Sequence, residues 1–267
     1  MRIARIVDSD DQVTWAAQQD DGGLLRIEGE PLTGNVSLTR QAVVVKRWLP
    51  PVEPVAIFCI GLNYRKHAEE AGLPVPEYPV VFIKNPSAAT GHEQPIRIPK
   101  VCTDEVDYEC ELAVVIRRTC RNVSKSDALD YVLGYTCAND VSARSWQLER
   151  GGGQWNRGKG FDTFAPLGPI LVTTDDLGDP NMLSIRTHLN GELVQDSNTR
   201  DMIFDIPTLI SFLSEDTTLL PGTVILTGTP SGIGWAREPR LLLHPGDQVC
   251  IEIERIGRLE NPVAGPS

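Results

Sequence analysis

Hydrophobic and polar residues alternate over short stretches along most of the chain, which is the pattern of β-strands with one buried face. Arg2–Val7, Val13–Ala17 and Leu24–Glu28 alternate in this way, and Tyr108–Arg117 contains a continuous apolar run typical of a fully buried strand. Asn190-Gly191 is a tight-turn signal between two such stretches. The pattern predicts further strands at Val55–Gly61, Val80–Ile83, Gly134–Ala138, Ile170–Thr173, Ser184–Leu189, Leu193–Asp196, Thr223–Thr227 and Val249–Ile256.

Helical spacing is confined to a few segments. Tyr64–Ala71 is predicted as a short helix that Asn63 caps, and Lys125–Val132 as a second helix capped by Ser124. Asp205–Ser214 has the same apolar spacing. We therefore expect a mainly β architecture of the α+β class with a few helices.

A proline-rich connector suggests two domains. Pro50, Pro51 and Pro54 form a stiff segment after a short β-rich region. The sequence therefore predicts a small N-terminal β-rich domain at residues 1–50 and a larger domain at residues 51–267.

Net charge and the cysteine pattern indicate which partners and which cellular compartment to expect. The chain carries 25 Lys+Arg and 36 Asp+Glu, a formal net charge of −11, which argues against nucleic acid or an anionic membrane as partner. Its six cysteines form no C-x-x-C pair, and the N-terminus lacks the apolar core of a signal peptide. We expect a reduced, cytoplasmic protein that acts on a small molecule.

Three carboxylates are candidate metal ligands. Glu109 and Glu111 stand two residues apart on a predicted strand, so they share one face at a separation of about 7 Å. If both are desolvated, a proton, a basic partner or a hard cation must compensate their charge; the alternative is two solvated side chains. Asp140 ends the next strand, where it would either join them in an all-oxygen site suited to Mg²⁺ or cap a helix.

Three further side chains could act in catalysis. His67 and Glu70 stand at i and i+3 of the predicted helix, where Glu70 could fix the tautomer of a basic imidazole or merely form a surface ion pair. Lys159 lies between glycines and could reach a pocket or remain an exposed loop lysine. The segment 226–234 could present backbone N–H groups to an anion but lacks a P-loop pattern, and no G-x-S-x-G or zinc-ligand spacing is present.

These elements, taken in order, resemble the fumarylacetoacetate hydrolase family over roughly residues 55–263. The resemblance rests on several separate motifs: Gly61-Leu62-Asn63-Tyr64 with His67, Asp107-Tyr108-Glu109-Cys110-Glu111-Leu112, Asn139-Asp140-Val141-Ser142-Ala143-Arg144, Lys159-Gly160-Phe161-Asp162-Thr163 and Thr227-Gly228-Thr229-Pro230. It implies a mixed β-sandwich roll with a small N-terminal extension, and a homodimer.

The resemblance also implies roles for individual residues. It assigns Mg²⁺, with Mn²⁺ or Ca²⁺ as alternatives, to Glu109, Glu111 and Asp140. It assigns a base dyad on a lid to His67 and Glu70. Arg144, Gln147, Lys159 and Thr229 would then line the pocket and hold the carboxylate and oxyanion of the substrate.

The implied chemistry is that of 2-oxo and 1,3-diketo acids, which react through an enolate that the metal and Lys159 stabilise. C–C bond hydrolysis, decarboxylation of oxaloacetate and keto–enol tautomerisation are all compatible with it. Leu62 stands where the acylpyruvase and oxaloacetate decarboxylase branch has Arg, and the subgroup with an aliphatic residue there is associated with oxaloacetate tautomerisation. The Gly151–Gly153 loop leaves room for a larger, pathway-specific substrate, and a catalytically silent metal-binding relative is the remaining alternative.

Overall fold

The computed structural model describes residues 1–266 and is mainly β, with 41% of residues in strands and 18% in helices. This confirms the predicted fold class. The strands are β1 (Arg2–Asp8), β2 (Val13–Gln18), β3 (Leu24–Glu30), β4 (Asn35–Ala42), β5 (Val45–Trp48), β6 (Ala56–Gly61), β7 (Val80–Lys84), β8 (Ala89–Thr90), β9 (Ile96–Arg97), β10 (Val106–Asp107), β11 (Cys110–Ile116), β12 (Val132–Asn139), β13 (Ser142–Ala143), β14 (Ala165–Thr173), β15 (Ser184–Leu189), β16 (Glu192–Asn198), β17 (Thr223–Leu226), β18 (Gln248–Ile253) and β19 (Gly257–Ala264). The α-helices are α1 (Arg65–Glu70), α2 (Arg144–Leu148), α3 (Asn156–Lys159), α4 (Thr174–Leu177) and α5 (Ile206–Leu213). Short 3₁₀ turns lie at Pro31–Thr33, Pro86–Ala88, Ala128–Tyr131, Pro180–Met182, Thr199–Asp201 and Gly234–Ala236.

A large sheet forms the body of the molecule. Its strands lie in the order β4-β3-β2-β1-β14-β12-β11-β17-β6-β7, with β5 paired to β1 and β8 paired to β14. Every residue of β11 and β12 is buried, because these two strands lie in the middle of the sheet and are covered on both faces. Their continuous apolar sequences follow from this position.

A second sheet of five strands, in the order β16-β15-β18-β19-β9, packs against β11, β12 and β14. The turn Asn190-Gly191 joins β15 to β16, and both residues have positive φ values of 53° and 85°. A two-residue turn of this kind matches the twist of the strands that it joins, as its sequence predicts.

The N-terminal strands extend the large sheet directly. β1 pairs with β14 through Arg2↔Val172, Ile3↔Leu171 and Ala4↔Ile170. The buried side chains of these strands belong to the same hydrophobic core cluster as those of β11 and β12. The division of the chain near residue 50 stays a prediction.

Two predicted helices differ from the structure. α1 has no side-chain cap, because the buried amide of Asn63 instead donates to the carbonyls of Thr227 and Phe204. The segment predicted as helix 125–132 forms only a 3₁₀ turn at Ala128–Tyr131, since Val132 already pairs with Ile116 in the sheet. Within residues 1–266, no helix is long and apolar enough to cross a membrane.

Candidate active site

Antiparallel pairing of β11 and β12 brings the three predicted metal ligands together. The register Cys110↔Asn139 places the beginning of β11 beside the end of β12. The backbone N–H of Asp140 donates to the carbonyl of Glu109 over 2.9 Å and fixes this junction. Strand pairing therefore places side chains thirty residues apart in sequence at one point.

Glu109, Glu111 and Asp140 form a buried acidic cluster. Each contributes a carboxylate oxygen, and these oxygens all lie within 4.8 Å of one another. Their relative exposures are 5%, 1% and 0%, so water cannot screen their mutual repulsion. The cluster therefore needs positive charge from nearby groups.

Lys159 supplies part of that charge. Its Nζ lies 2.8 Å from both Glu109 Oε2 and Asp140 Oδ2, and the side chain is buried. Burial opposes ionisation of both partners, but the ion pairs prevail: the pKa of Lys159 is raised, and Lys159 with Arg144 holds the pKa of Glu109 at about 2. Lys159 is thus a buried ammonium between two carboxylates, not an exposed loop lysine.

Lys84 is a second buried ammonium that sequence analysis missed. Its Nζ lies 2.6 Å from Asp140 Oδ1, and it donates to the carbonyls of Val141, Lys159 and Phe164 at 2.9, 2.5 and 2.8 Å. An ammonium has three protons, and the three carbonyls take all of them. Asp140 Oδ1 is therefore a buried carboxylate oxygen without an aligned hydrogen bond.

Glu111 is the carboxylate with the least compensation. It accepts a 2.7 Å hydrogen bond from the Gly228 N–H, but within residues 1–266 no Lys or Arg forms an ion pair with it. Burial and the charges of Asp140 and Glu109 raise its pKa well above the ordinary value. A divalent cation fits this arrangement, because it would supply the missing charge and the three carboxylates offer it an all-oxygen donor set.

His67 and Glu70 are in contact, as their spacing predicts. His67 Nδ1 lies 3.1 Å from Glu70 Oε2, and Glu70 Oε1 accepts a 2.8 Å hydrogen bond from the Gly232 N–H. Because an ionised carboxylate only accepts hydrogen bonds, a neutral imidazole in this contact would carry its proton on Nδ1 and keep the lone pair on Nε2. The loop after β17 thus fixes the orientation of the dyad.

Arg144 joins the acidic cluster to the pocket wall. Its Nε and Nη2 donate to Asp107 Oδ2 at 2.8 and 2.6 Å, while Nη1 lies 2.6 Å from Glu109 Oε1 and 2.9 Å from Gln147 Oε1. Asp107 also accepts hydrogen bonds from the N–H groups of Gly234 and Trp235. Most of the hydrogen-bonding capacity of Arg144 therefore serves the protein itself, and its contact with a substrate carboxylate stays a prediction.

A buried amide orients Thr229. Gln195 Nε2 donates to Thr229 Oγ1 and to the carbonyl of Pro230, both at 3.0 Å, while its Oε1 accepts from Thr187 Oγ1 and the Cys110 N–H. Since Thr229 Oγ1 accepts from Gln195, its own proton is available to the pocket.

One small cavity of about 50 Å³ brings most of the predicted site together. Seven of the nine predicted residues line it: His67, Glu109, Asp140, Arg144, Gln147, Lys159 and Thr229. Glu111 is buried beside it, and Glu70 lines an adjoining outer cavity. Ile60, Gly61, Leu62, Phe82 and Trp155 complete the inner wall.

Lys84, Asp107 and Gln195 are the residues of this site that sequence analysis did not assign. A lysine at the end of the apolar run Val80–Ile83 is a signal for Lys84, because a lysine on a buried strand requires a partner. Asp107 lay inside a recognised motif. Gln195 has no local signal for its role in the site, since Cys110, Thr229 and Pro230 are distant in sequence and only Thr187 lies in the same hairpin.

The fold and the site define a mainly β enzyme with a buried carboxylate–lysine centre suited to a divalent cation. Residues 56–264 match the family described as Fumarylacetoacetate (FAA) hydrolase C-terminal, and the chain belongs to this family. It is 51% identical over 222 residues to a fumarylacetoacetate hydrolase domain-containing protein 2 homolog of Dictyostelium discoideum, covering 80% of this chain and 72% of the relative. It is 50% identical to the protein named oxaloacetate tautomerase fahd2, mitochondrial, of Xenopus laevis, covering 80% of this chain and 67% of the relative.

Solved structures share the whole fold. The 5-carboxymethyl-2-hydroxymuconate delta-isomerase of Mycobacterium smegmatis is 40% identical with a TM-score of 0.86, over 99% of this chain and 100% of that one. The 2-hydroxyhepta-2,4-diene-1,7-dioate isomerase of Mycobacterium marinum is 38% identical with a TM-score of 0.84, over 99% and 98%. The family predicted from the motifs is therefore confirmed, and the chain is an enzyme of that family.

Proposed function

We propose that this protein is a Mg²⁺-dependent enzyme that interconverts the enol and keto forms of a 2-oxo acid, with oxaloacetate as the first compound to test. The observation that carries the proposal is the buried acidic cluster, in which Glu111 forms no ion pair with any Lys or Arg of residues 1–266. The name oxaloacetate tautomerase borne by a 50% identical relative supports the reaction type.

Glu109, Glu111 and Asp140 would hold the ion. Their all-oxygen donor set suits Mg²⁺, with Mn²⁺ or Ca²⁺ as alternatives. When bound, such an ion supplies Lewis-acid stabilisation of the negative charge that develops on a substrate oxygen.

His67 is the group that would carry the proton. In ketonisation a proton leaves the enol oxygen and a proton is added to the neighbouring carbon, so no co-reactant is consumed. His67 lines the inner cavity, and Glu70 would stabilise the imidazolium that forms when Nε2 accepts a proton.

Neutral donors would hold the substrate's carboxylate. Gln147 turns its amide oxygen to Arg144, which leaves its NH₂ group for the cavity, and Thr229 offers its hydroxyl proton. Lys159 adds a positive charge within the same cavity and would attract the substrate's anionic oxygen. Gln147, Thr229 and Lys159 would together bind one carboxylate. They would do so without the arginine that the acylpyruvase and oxaloacetate decarboxylase branch has at the position of Leu62.

Hydrolysis of a C–C bond in an acylpyruvate-type substrate is the second candidate. The observation that favours it is the anchoring of Glu70 by the Gly232 N–H, because a base that activates water needs a fixed orientation. Decarboxylation of oxaloacetate uses the same enolate stabilisation without the water. Acylpyruvate cleavage that disappears in His67→Ala while ketonisation is retained would assign the dyad to hydrolysis.

The test is the decay of enol-oxaloacetate absorbance with metal-stripped protein, with and without Mg²⁺, while pyruvate release is assayed in parallel. We expect Mg²⁺-dependent acceleration without pyruvate in the wild type, and a rise in melting temperature when Mg²⁺ is added. Glu111→Gln should lose both effects yet remain folded, because the amide still accepts the Gly228 N–H. Glu238→Gln, on the exposed surface, is the matched control.

Acceleration that is equal with and without Mg²⁺, or unchanged in Glu111→Gln, contradicts the metal assignment. Pyruvate release at the rate of enol decay would replace tautomerisation by decarboxylation.

We also propose that the protein is a cytoplasmic homodimer. The edge strand β7 supports the dimer, because Val81 and Ile83 are 39% and 49% exposed on it. The six cysteines, all buried and free, support a reducing compartment such as the cytoplasm. Light scattering and fractionation of cells test the two statements.

A further inference from the structure

A second cavity adjoins the inner one. It has a volume of about 360 Å³ and shares with the inner cavity the residues Leu62, His67, Arg144, Gln147 and Trp155. The far end of a molecule bound at the acidic cluster would therefore lie next to this outer cavity.

The outer cavity has apolar walls built from three separate elements. Leu73 follows α1, Leu148 ends α2, and Ile233 and Trp235 come from the loop after β17. Leu73 and Leu148 are 49% and 47% exposed. Large apolar side chains left exposed around one opening indicate a binding surface, since nothing in the fold requires them there.

The charges around this cavity disfavour a second carboxylate. Glu70 lines it and is negative, while the guanidinium of Arg144 is occupied by Asp107, Glu109 and Gln147. A dicarboxylate that placed its distal group here would lose hydration, and Arg144, the only Lys or Arg among the lining residues, is already paired. An alkyl or aryl group would instead bury apolar surface against the leucines.

We propose that the outer cavity binds the apolar tail of a 2-oxo or 1,3-diketo acid whose head group lies in the inner cavity. This inference rests on the proposed function for the head group and adds to it the class of substrate. The physiological substrate is then a monocarboxylic oxo acid with an alkyl or aryl chain, in contrast to a short dicarboxylate.

The test compares a homologous series of straight-chain 2,4-dioxo acids, each one methylene longer than the last, as substrates of the Mg²⁺-loaded enzyme. We expect kcat/KM to rise by roughly three- to fourfold per methylene until the cavity is filled. The same chains ending in a second carboxylate should be poorer substrates. Arg240 lies 3.3 Å from the centre of the Trp235 ring, so a preference for the long dicarboxylates would overturn the inference and indicate capture by that cation.

Leu148→Asp provides the variant, and Leu220→Asp, 51% exposed and outside both cavities, is its matched control. The readout is the ratio of kcat/KM between the longest and shortest substrates, which is insensitive to a general loss of activity. We expect this ratio to fall at least tenfold in Leu148→Asp and to stay unchanged in Leu220→Asp. An equal ratio in both variants, or no dependence on chain length in the wild type, overturns the inference.

Binding of unreactive straight-chain 2-oxo acids, measured as inhibition or by calorimetry, separates this inference from the proposed function. Affinity that rises with chain length in a protein that turns over none of the substrates would retain the apolar cavity and reject the proposed reaction. Turnover of oxaloacetate together with an affinity that is independent of chain length would retain the proposed reaction and reject the apolar cavity as a binding site.

Discussion

The direction of the Thr229 hydroxyl group is set by Gln195, which does not line the inner cavity. Gln195 is 1% exposed and uses both ends of its amide: two acceptor bonds to Thr187 and Cys110, and two donor bonds to Thr229 and Pro230. If the amide donates to Thr229 Oγ1, the hydroxyl proton points elsewhere, and the cavity is the open direction. Gln195 is therefore a positioning residue.

Gln195→Glu tests this role because it keeps the acceptor atoms and removes the donor. The Thr229 hydroxyl would then turn to donate to the new carboxyl group and be lost to the substrate. We expect KM to rise by roughly two- to tenfold, the effect of one neutral hydrogen bond, with a smaller change in kcat. The check is steady-state kinetics of Gln195→Glu, of Thr229→Val and of the double variant. The losses of the two single variants should not add in the double variant. Additive losses would separate Gln195 from Thr229.

At the level of elements, the close approach of β6 to α3 sets the shape of the inner cavity. A Cβ atom on Gly61, the last residue of β6, would lie 2.3 Å from Trp155 Cζ3. Trp155 precedes α3, lines both cavities, and packs edge-on against Phe82 with ring centres 5.4 Å apart. Gly61 therefore allows the indole ring to lie directly against the end of the strand.

Gly61→Ala should displace Trp155 with little cost to the fold, because the clash is with a half-buried side chain. We expect kcat/KM to fall by roughly tenfold or more, as misplaced cavity walls commonly cause, while the melting temperature changes little. Combining it with Trp155→Ala should add no loss beyond that of Trp155→Ala alone. A large loss of stability in Gly61→Ala would point instead to the backbone of β6.

Sequence patterns predicted best those elements whose buried face follows from the spacing of their own residues. The apolar run of β11 and the two-residue spacing of Glu109 and Glu111 placed two carboxylates of the acidic cluster, and the i, i+3 spacing placed His67 beside Glu70. Contacts between distant segments were not predictable in this way. Lys84 is one example, because its carbonyl partners come from three other parts of the chain.

At the scale of the whole molecule, the large sheet is what assembles the site. Lys84 is the last residue of β7, the acidic cluster lies where β11 begins and β12 ends, and the loop after β17 contains Thr229. These strands are neighbours only in the sheet, so the geometry of the cavity depends on the sheet's integrity. β12 is held on its other side by β14, and β14 in turn by β1.

Removal of residues 1–50 therefore tests how far the N-terminal strands are part of the enzyme. The deletion takes away β1 and exposes the edge of β14, together with the core side chains that Ile3 and Ile6 cover. An uncovered edge strand promotes aggregation, and the lost burial lowers the free energy of unfolding. We expect the intact chain to unfold in a single calorimetric transition and the fragment 51–267 to be insoluble or to melt at a markedly lower temperature. A soluble fragment with the melting temperature and Mg²⁺ response of the intact protein would instead establish the first fifty residues as a separate domain, since the sheet would then not need β1 to hold β14 and the acidic cluster in place.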